Sequence, residues 1–387
     1  MAHGDYARNY MEDFARVTGL QPVSETPRRY LWTDAFAVCN YLELFRAGGD
    51  EKYRNLALRL VDQVHHTLGR HRGDDPRSGW ISGLSEEEGE MHPTIGGLRI
   101  GKTLPERGTD EQYDDVREWD QDGQYYHYLT KWVHALNRVS RVTGDPKFLR
   151  WAIELGHVAH AAFTYLPRGN ERKRMYWKMS IDLSRPLVPS MGQHDPLDGF
   201  VTYAELLLTA TQDFGHPGQP GLVEDIADMR AICQGLEMTT TDPLGIGGLL
   251  SDASRLIQIA GRGGQVPAGL IVTILEGARR GLDAYTRSGS LDLPARHRLA
   301  FRELGLSIGL AAAETMPVWI ENTPSLTNRE VVLGRVNVIL HYLPLREHIE
   351  RFWLVPANQE PASWTDHRDI NRVMLATSLA PEGFLGI

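Results

Sequence analysis

The residues of this chain that could do chemistry fall in five short stretches mixing carboxylates with rings. These are Tyr30-Leu31-Trp32-Thr33-Asp34, Glu118-Trp119-Asp120-Gln121-Asp122-Gly123-Gln124-Tyr125-Tyr126-His127, His194-Asp195-Pro196-Leu197-Asp198-Gly199-Phe200, Asp242-Pro243-Leu244-Gly245 with Asp252 beyond it, and Trp364-Thr365-Asp366-His367-Arg368-Asp369. An aspartate ahead of a helix serves as a cap, and acids in a first turn are favoured by the helix dipole. Capping accounts for any single aspartate here, but it needs neither the additional acids nor the Trp, Tyr and His beside them. Paired carboxylates with flat rings are the inventory of glycosidic-bond cleavage. One acid protonates the departing oxygen, a second carboxylate activates water or attacks the anomeric carbon, and rings stack on the sugar's apolar face.

The elements that must position these stretches are helices. Apolar residues at helical spacing, broken by Gly, Pro and Asp, place helices near 5–18, 33–47, 51–70, 123–142, 146–164, 199–213, 221–236, 246–261, 267–287, 296–315, 328–352 and 367–379. Pro317 and Pro344 interrupt the pattern near the C-terminal end. Short hairpin pieces are expected at 79–84 and 175–187. Gly49-Asp50-Glu51-Lys52-Tyr53, followed by Ala57, recurs as Gly144-Asp145-Pro146-Lys147-Phe148, followed by Ala152. In each copy glycine ends one helix in a left-handed conformation and aspartate caps the next. Helix pairs repeated in this way imply a solenoid or a closed ring, since one pair cannot bury its own apolar face. The links within pairs are short, whereas 72–122 and 165–198 are long, and long loops in a compact domain are usually functional.

The Gly-Asp-x-Lys-aromatic linker, about twelve paired helices and the acid-plus-ring starts of alternate helices resemble the six-hairpin, or (α/α)6, glycosidase superfamily. That superfamily includes unsaturated glucuronyl hydrolases, trehalase-like and glucoamylase-like enzymes, and relatives of N-acylglucosamine 2-epimerase. The resemblance implies an all-α toroid as a single domain over 1–387, with short β pieces in its long loops. It also implies essential acids at the starts of the inner helices, which corresponds to Asp122 and to Asp195 or Asp198. On this reading Asp122 is the proton donor and Asp195 or Asp198 its partner. Asp34, Asp120, His127, His194 and His367 would support or bind the substrate, and Trp32, Tyr125, Tyr126 and Trp364 would be stacking surfaces. Asp122→Asn is then expected to abolish turnover and leave the fold intact.

Bulk properties exclude several classes. The chain has 387 residues, 42% hydrophobic and 24% charged, as expected of a globular protein with a large core. Its formal charge of −9 argues against a nucleic-acid surface. No apolar run approaches the roughly 18 residues of a membrane span. Cys39 and Cys233 make neither a disulfide framework nor a zinc pattern. The start, Met1-Ala2-His3-Gly4-Asp5, lacks the basic and apolar regions of a signal peptide, so a cytoplasmic protein is expected. No metal or cofactor is expected, and the partner is a small carbohydrate.

Other motifs carry less. Asp114-Asp115-Val116-Arg117-Glu118 resembles the acidic run of class I terpene synthases but lacks the second metal motif. His65, His66 and His71 are expected to be solvated or capping at an outer-helix end, and Glu86-Glu87-Glu88 to be a solvated face. Arg168, Arg172, Lys173 and Arg174 form either a solvated loop or a clamp for an anionic sugar. Gly245-Ile246-Gly247-Gly248 reads as a tight helix start and Gly261-Arg262-Gly263-Gly264 as a helix stop. The functional expectation is a glycoside hydrolase. The alternatives are an epimerase or isomerase using His127, His194 and His367, and a non-catalytic sugar-binding toroid.

Overall fold

The computed structural model describes residues 3–215 and 220–387. The helices, in chain order, are α1 (His3–Val17), α2 (Leu31–Gly48), α3 (Glu51–Leu68), α4 (Glu86–Met91), α5 (Asp115–Asp120), α6 (Tyr126–Thr143), α7 (Pro146–Phe163), α8 (Asp195–Leu208), α9 (Pro220–Cys233), α10 (Pro243–Gly261), α11 (Leu270–Arg287), α12 (Ala300–Glu321), α13 (Arg329–Leu340), α14 (Pro344–Leu354), α15 (Ala362–Thr365), α16 (Arg368–Leu379) and α17 (Glu382–Leu385). Among the described residues five strands of two or three residues accompany them: β1 (Gln124–Tyr125), β2 (Thr164–Tyr165), β3 (Arg174–Met175), β4 (Lys178–Met179) and β5 (Pro186–Val188). The long helices follow the sequence periodicity, while α4, α5, α15 and α17 are too short to have shown one. The expected helix over 328–352 is divided, because Pro344 starts α14 at its first turn. Pro317, by contrast, lies inside α12, which continues to Glu321.

The chain forms two compact units: Ala15–Leu236, and Met1–Phe14 together with Glu237–Ile387. In the first, α2, α6 and α8 form an inner layer backed by α3, α7 and α9. Every residue from Leu31 to Leu44 of α2 is buried, so protein surrounds this helix on all sides. The outer α3 buries one stripe, including Tyr53, Leu56, Ala57, Leu60, Val61, Val64 and Leu68. Both copies of the linker repeat adopt the expected form. Gly49 and Gly144 are left-handed, and Asp50 and Asp145 accept the amide N–H of Lys52 and Lys147.

Polar groups fix how the inner helices meet. The Tyr126 hydroxyl donates to the Tyr203 hydroxyl, which donates to the Gly156 carbonyl, so α6, α8 and α7 share one chain of hydrogen bonds. A Cβ on Gly199 would lie 2.2 Å from the Tyr126 oxygen, so glycine is what lets α8 approach. Deeper in the layer, Glu205 of α8 binds His134 at 3.1 Å and Asn137 at 2.9 Å, both on α6. His65, expected at a solvated helix end, is buried, and its Nε2 accepts the Trp132 indole N–H at 3.1 Å.

In the second unit α12 packs between α10 and α16, with α11, α13 and α14 behind. Glycines set the α10–α12 crossing: a Cβ on Gly247 would lie 2.0 Å from the Gly305 carbonyl oxygen. Gly248, its neighbour, faces open space. The two glycines therefore respond oppositely to alanine. Gly247→Ala is expected to lower unfolding free energy by about 1–3 kcal/mol through overpacking. Gly248→Ala is expected to be neutral or stabilising by up to about 1 kcal/mol, since alanine is the better helix former. Denaturant unfolding of both variants checks the pair.

Candidate functional site

The site grows from the way the two long connections of the first unit are tied together. β1, which launches α6, pairs antiparallel with β4 (Gln124 with Met179, Tyr125 with Lys178), and β4 pairs with β5. Gln124 anchors this seam: its amide donates to the Gly96 and Ile181 carbonyls, and its side-chain oxygen accepts the Leu98 N–H. Arg77 bridges Asp75, Glu106 and Asp182 across the same loops. Beneath them Lys178, fully buried, donates to the Glu118 and Gln121 carbonyls and pairs with the Glu118 carboxylate at 2.9 Å.

Asp122 sits at the centre of this framework with no solvent-exposed surface. One carboxylate oxygen accepts from the guanidinium groups of Arg99 at 2.6 Å and Arg72 at 3.3 Å. The other accepts the backbone N–H groups of Gly101, Lys102 and Gly123 at 3.0, 3.3 and 3.1 Å. An acid O–H would need an acceptor where donors already converge. This geometry suits a structural carboxylate and not the proton donor expected from sequence.

The opening of the inner layer is built instead from the first turns of α6 and α8. Asp195 is the first residue of α8, and Asp198 lies one turn on. Asp198 pairs with Lys131 at 2.5 Å and accepts the Thr130 hydroxyl, both from α6. Asp195 is nearly buried; burial first, then the Asp198 charge, raises its carboxyl to about 7, against the opposing pull of Lys131. Its Oδ1 lies 3.8 Å from His127 Nδ1. Among the described residues neither Asp195 Oδ2 nor His127 Nδ1 has a hydrogen-bond partner. Burial, reinforced by Lys131, lowers His127 to about 4, so the imidazole is neutral at neutral pH. A Cβ on Gly192 would sit 2.4 Å from Asp195 Oδ2, so this glycine leaves the carboxylate its room.

Rings continue outward from this pair. His127 stacks on Trp177 with centroids 6.3 Å apart and contacts Tyr125 and Tyr128 at 5.4 and 4.8 Å. Trp177 meets Trp119 edge-on at 5.4 Å, and Tyr128 meets Tyr30 at 5.6 Å and Trp32 at 6.4 Å. The Tyr30 and Tyr128 hydroxyls are 2.7 Å apart, and burial pushes Tyr30 up to about 12. The result is an aromatic wall from the start of α2, past α6, to α5 and the β3–β4 turn.

Of the residues expected from sequence, the structure brings Asp195, Asp198, His127, Tyr125 and Trp32 into this one neighbourhood. Asp34 lies under the wall as a helix-start acceptor, taking the Tyr30 N–H at 2.9 Å and pairing with Arg29. His194 precedes α8 in the N-cap position, without a side-chain capping bond. Asp120 is exposed at the end of α5. Tyr126 is fully buried and faces Tyr203, so it is core and not a stacking surface. In the second unit Trp364 is likewise buried, stacked on Trp353 at 5.6 Å, while His367 is exposed with its ring against Phe301. Asp242 caps α10, and Asp252 pairs with Arg255. In the Arg168–Arg174 cluster, read as either a solvated loop or a clamp, Lys173 pairs with Asp228 and Arg172 donates to the Gln234 carbonyl. Sequence reading missed Lys131, Thr130, Tyr128 and Trp177. The first three lie within one helical turn of His127, a spacing that could have found them; nothing local marked Trp177.

Comparison with known proteins places this architecture. No protein-family model matches the chain, and no curated protein matches it. Solved structures do. The GH76A alpha-1,6-mannanase of Salegentibacter sp. HEL1_6 has a TM-score of 0.55 at 12% identity, covering 98% of this chain and 99% of its own. A GH76 alpha-mannanase of Bacteroides thetaiotaomicron has 0.53 at 8% identity, covering 98% and 97%. A D-mannose isomerase has 0.51 at 12% identity, covering 98% and 99%. The chain shares the all-α toroid fold of these structures.

Two outcomes follow from the carboxylates. Asp122→Asn places an NH2 against two buried guanidinium groups and is expected to cost about 3–5 kcal/mol of folding stability, measured by denaturant unfolding. Asp195 has a folded-state pKa above its unfolded value. Its contribution is therefore full below the ordinary carboxylate range and is lost as pH rises through about 7. Asp195→Asn is expected to remove that decline, which runs from the ordinary carboxylate range up to about pH 7, from the pH dependence of unfolding.

Proposed function

We propose that this protein is a carbohydrate-active enzyme of one domain over 1–387, cytoplasmic, and a glycoside hydrolase on a small oligosaccharide or glycoside. The observation that carries the reading is the pair at the start of α8. Asp195 is a near-buried carboxyl raised to about 7, and Asp198, one turn away, is ion-paired with Lys131. Two carboxyl groups held apart in protonation are what acid-assisted glycoside cleavage needs. Asp195, rather than Asp122, takes the donor role and protonates the departing oxygen. Asp198 supplies the negative charge that activates water or faces the oxocarbenium-like centre. The wall of Trp177, Trp119, Tyr128 and Trp32 offers apolar faces for pyranose rings. The toroid shared with two mannanases supports this reading.

A second reading rests on His127. Its neutral imidazole, 3.8 Å from Asp195, is an acid–base pair able to move a proton beside a sugar carbonyl. The D-mannose isomerase shares the fold. Release of reducing sugar from a glycoside panel supports hydrolysis, whereas solvent deuterium entering a free sugar without cleavage supports isomerisation.

If Asp195 donates the proton, Asp195→Asn lowers kcat about 100–10,000-fold while the protein stays folded at neutral pH. The wild-type kcat/KM falls as pH rises through about 7, where the donor is lost. Lys131→Met moves that midpoint upward, because the lysine charge opposes the rise. Wild-type activity that stays flat to pH 9 would remove Asp195 from the donor role.

A further inference from the structure

A second concave site lies on the outer layer of the first unit, lined by residues the reaction centre does not use. Its cavity, of about 300 Å³, is bounded by α3, Glu90 of α4, the end of α6 at Thr143, the start of α7 and the loop residues Trp80 and Pro93. That volume is at the lower end of small-molecule clefts. The residues that decide its chemistry are Asp62, His66, Glu90, Lys147, Phe148 and Trp151.

The charges of this cavity are matched internally. His66 lies between Asp62 at 3.3 Å and Glu90 at 2.7 Å, and their hydrogen bonds push it up to about 9, so it is a cation at neutral pH. Lys147 pairs with Asp145 at 3.3 Å, and Arg54 with Glu51 at 2.9 Å. An anionic ligand would meet Asp62, Glu90 and Asp145, and a cationic one Arg54, His66 and Lys147. A wholly apolar ligand would strip water from six charged groups and return no hydrogen bonds. A neutral polyol can bond to both signs at once.

The rings narrow the choice to a cyclic sugar. Phe148 and Trp151 meet edge to face at 5.3 Å, with buried His65 against Trp151 at 5.1 Å. The Trp151 indole N–H is fixed by the Met91 carbonyl at 2.8 Å, which holds the ring in place. The linker repeat points the same way. In both copies the lysine lies over the following ring, Lys52 over Tyr53 and Lys147 over Phe148, but the position four beyond it is Leu56 in the first copy and Trp151 in the second. Both copies border the cavity, the first through Arg54 and the second through Lys147, Phe148 and Trp151, and only the second copy brings two rings to it.

We propose that the cavity between α3 and α7 is a second carbohydrate-binding site, taking a neutral pyranose against Phe148 and Trp151 with its hydroxyls on Asp62, Glu90 and Lys147. The site binds and does no chemistry, and it stands independently of whether the reaction centre hydrolyses or isomerises. The test is a titration of the full chain with D-glucose, D-mannose and D-galactose, and with D-glucuronate and D-glucosamine as charged controls, read at the indole N–H resonances of Trp80 and Trp151. At least one neutral hexose is expected to give saturable shifts, unchanged in Asp195→Asn. The charged sugars are expected to bind at least tenfold more weakly. Trp151→Leu, or the surface double variant Asp62→Asn/Glu90→Gln should the first fail to fold, is expected to abolish the remaining shifts and leave turnover unaltered. No saturable shift with any neutral hexose, tighter binding of a charged sugar, or shifts that persist in both variants overturns the proposal. Loss of turnover in Asp195→Asn without change at these two resonances separates this site from the reaction centre.

Discussion

The arrangement at the candidate site depends on the burial of Asp122 among five donors. A carboxylate removed from water is tolerated only where charge and hydrogen bonds replace its hydration. Arg99 and Arg72 do so while also holding backbone carbonyls: Arg99 those of Thr67 and Arg70, Arg72 those of Lys102 and Thr103. One buried charge thus gathers the end of α3, the long connection and the residues before α6. Gly123 follows at φ +146, where a Cβ would lie 2.8 Å from the Met179 carbonyl oxygen, and β1 then delivers Tyr125 and His127 to the opening.

Register between α6 and α8 is set lower down, by bonds that tolerate no sliding. Glu205 with His134 and Asn137, and Tyr126 with Tyr203, are buried and bonded to one another, so shifting either helix by a residue would strand polar groups. The same register brings Thr130 and Lys131 to Asp198 and His127 near Asp195. The difference between the two α8 carboxylates is therefore a consequence of helix packing. One meets a lysine and a hydroxyl; the other meets a neutral ring and little water.

Much of the fold was legible in the chain because helices write themselves locally. The stripe of α3, the glycine stops at Gly49 and Gly144, and the caps at Asp50 and Asp145 are properties of a few adjacent residues. The site was legible only in part. His127, Asp195 and Asp198 stand out as acids and imidazole at helix starts, but Asp122 shows the same local signature and is held by donors on every side. Tyr126 and Trp364 look in sequence like the exposed Trp119 beside its acids and are core in the structure. His65 and His66 are adjacent, yet one is buried against Trp132 while the other lies between two carboxylates.

By itself the sequence determined that the protein is built from long paired helices, where most of them begin and end, and which helix starts concentrate acids and rings. Those features follow from backbone capping and the 3.6-residue period, which need no distant partner. Only the tertiary structure decided which acid is clamped and which keeps an unbonded oxygen, because a carboxyl's role is set by the donors, charges and water around it. Those surroundings come from Arg72, Arg99 and Lys131, residues separated in the chain and brought to their carboxylates by folding.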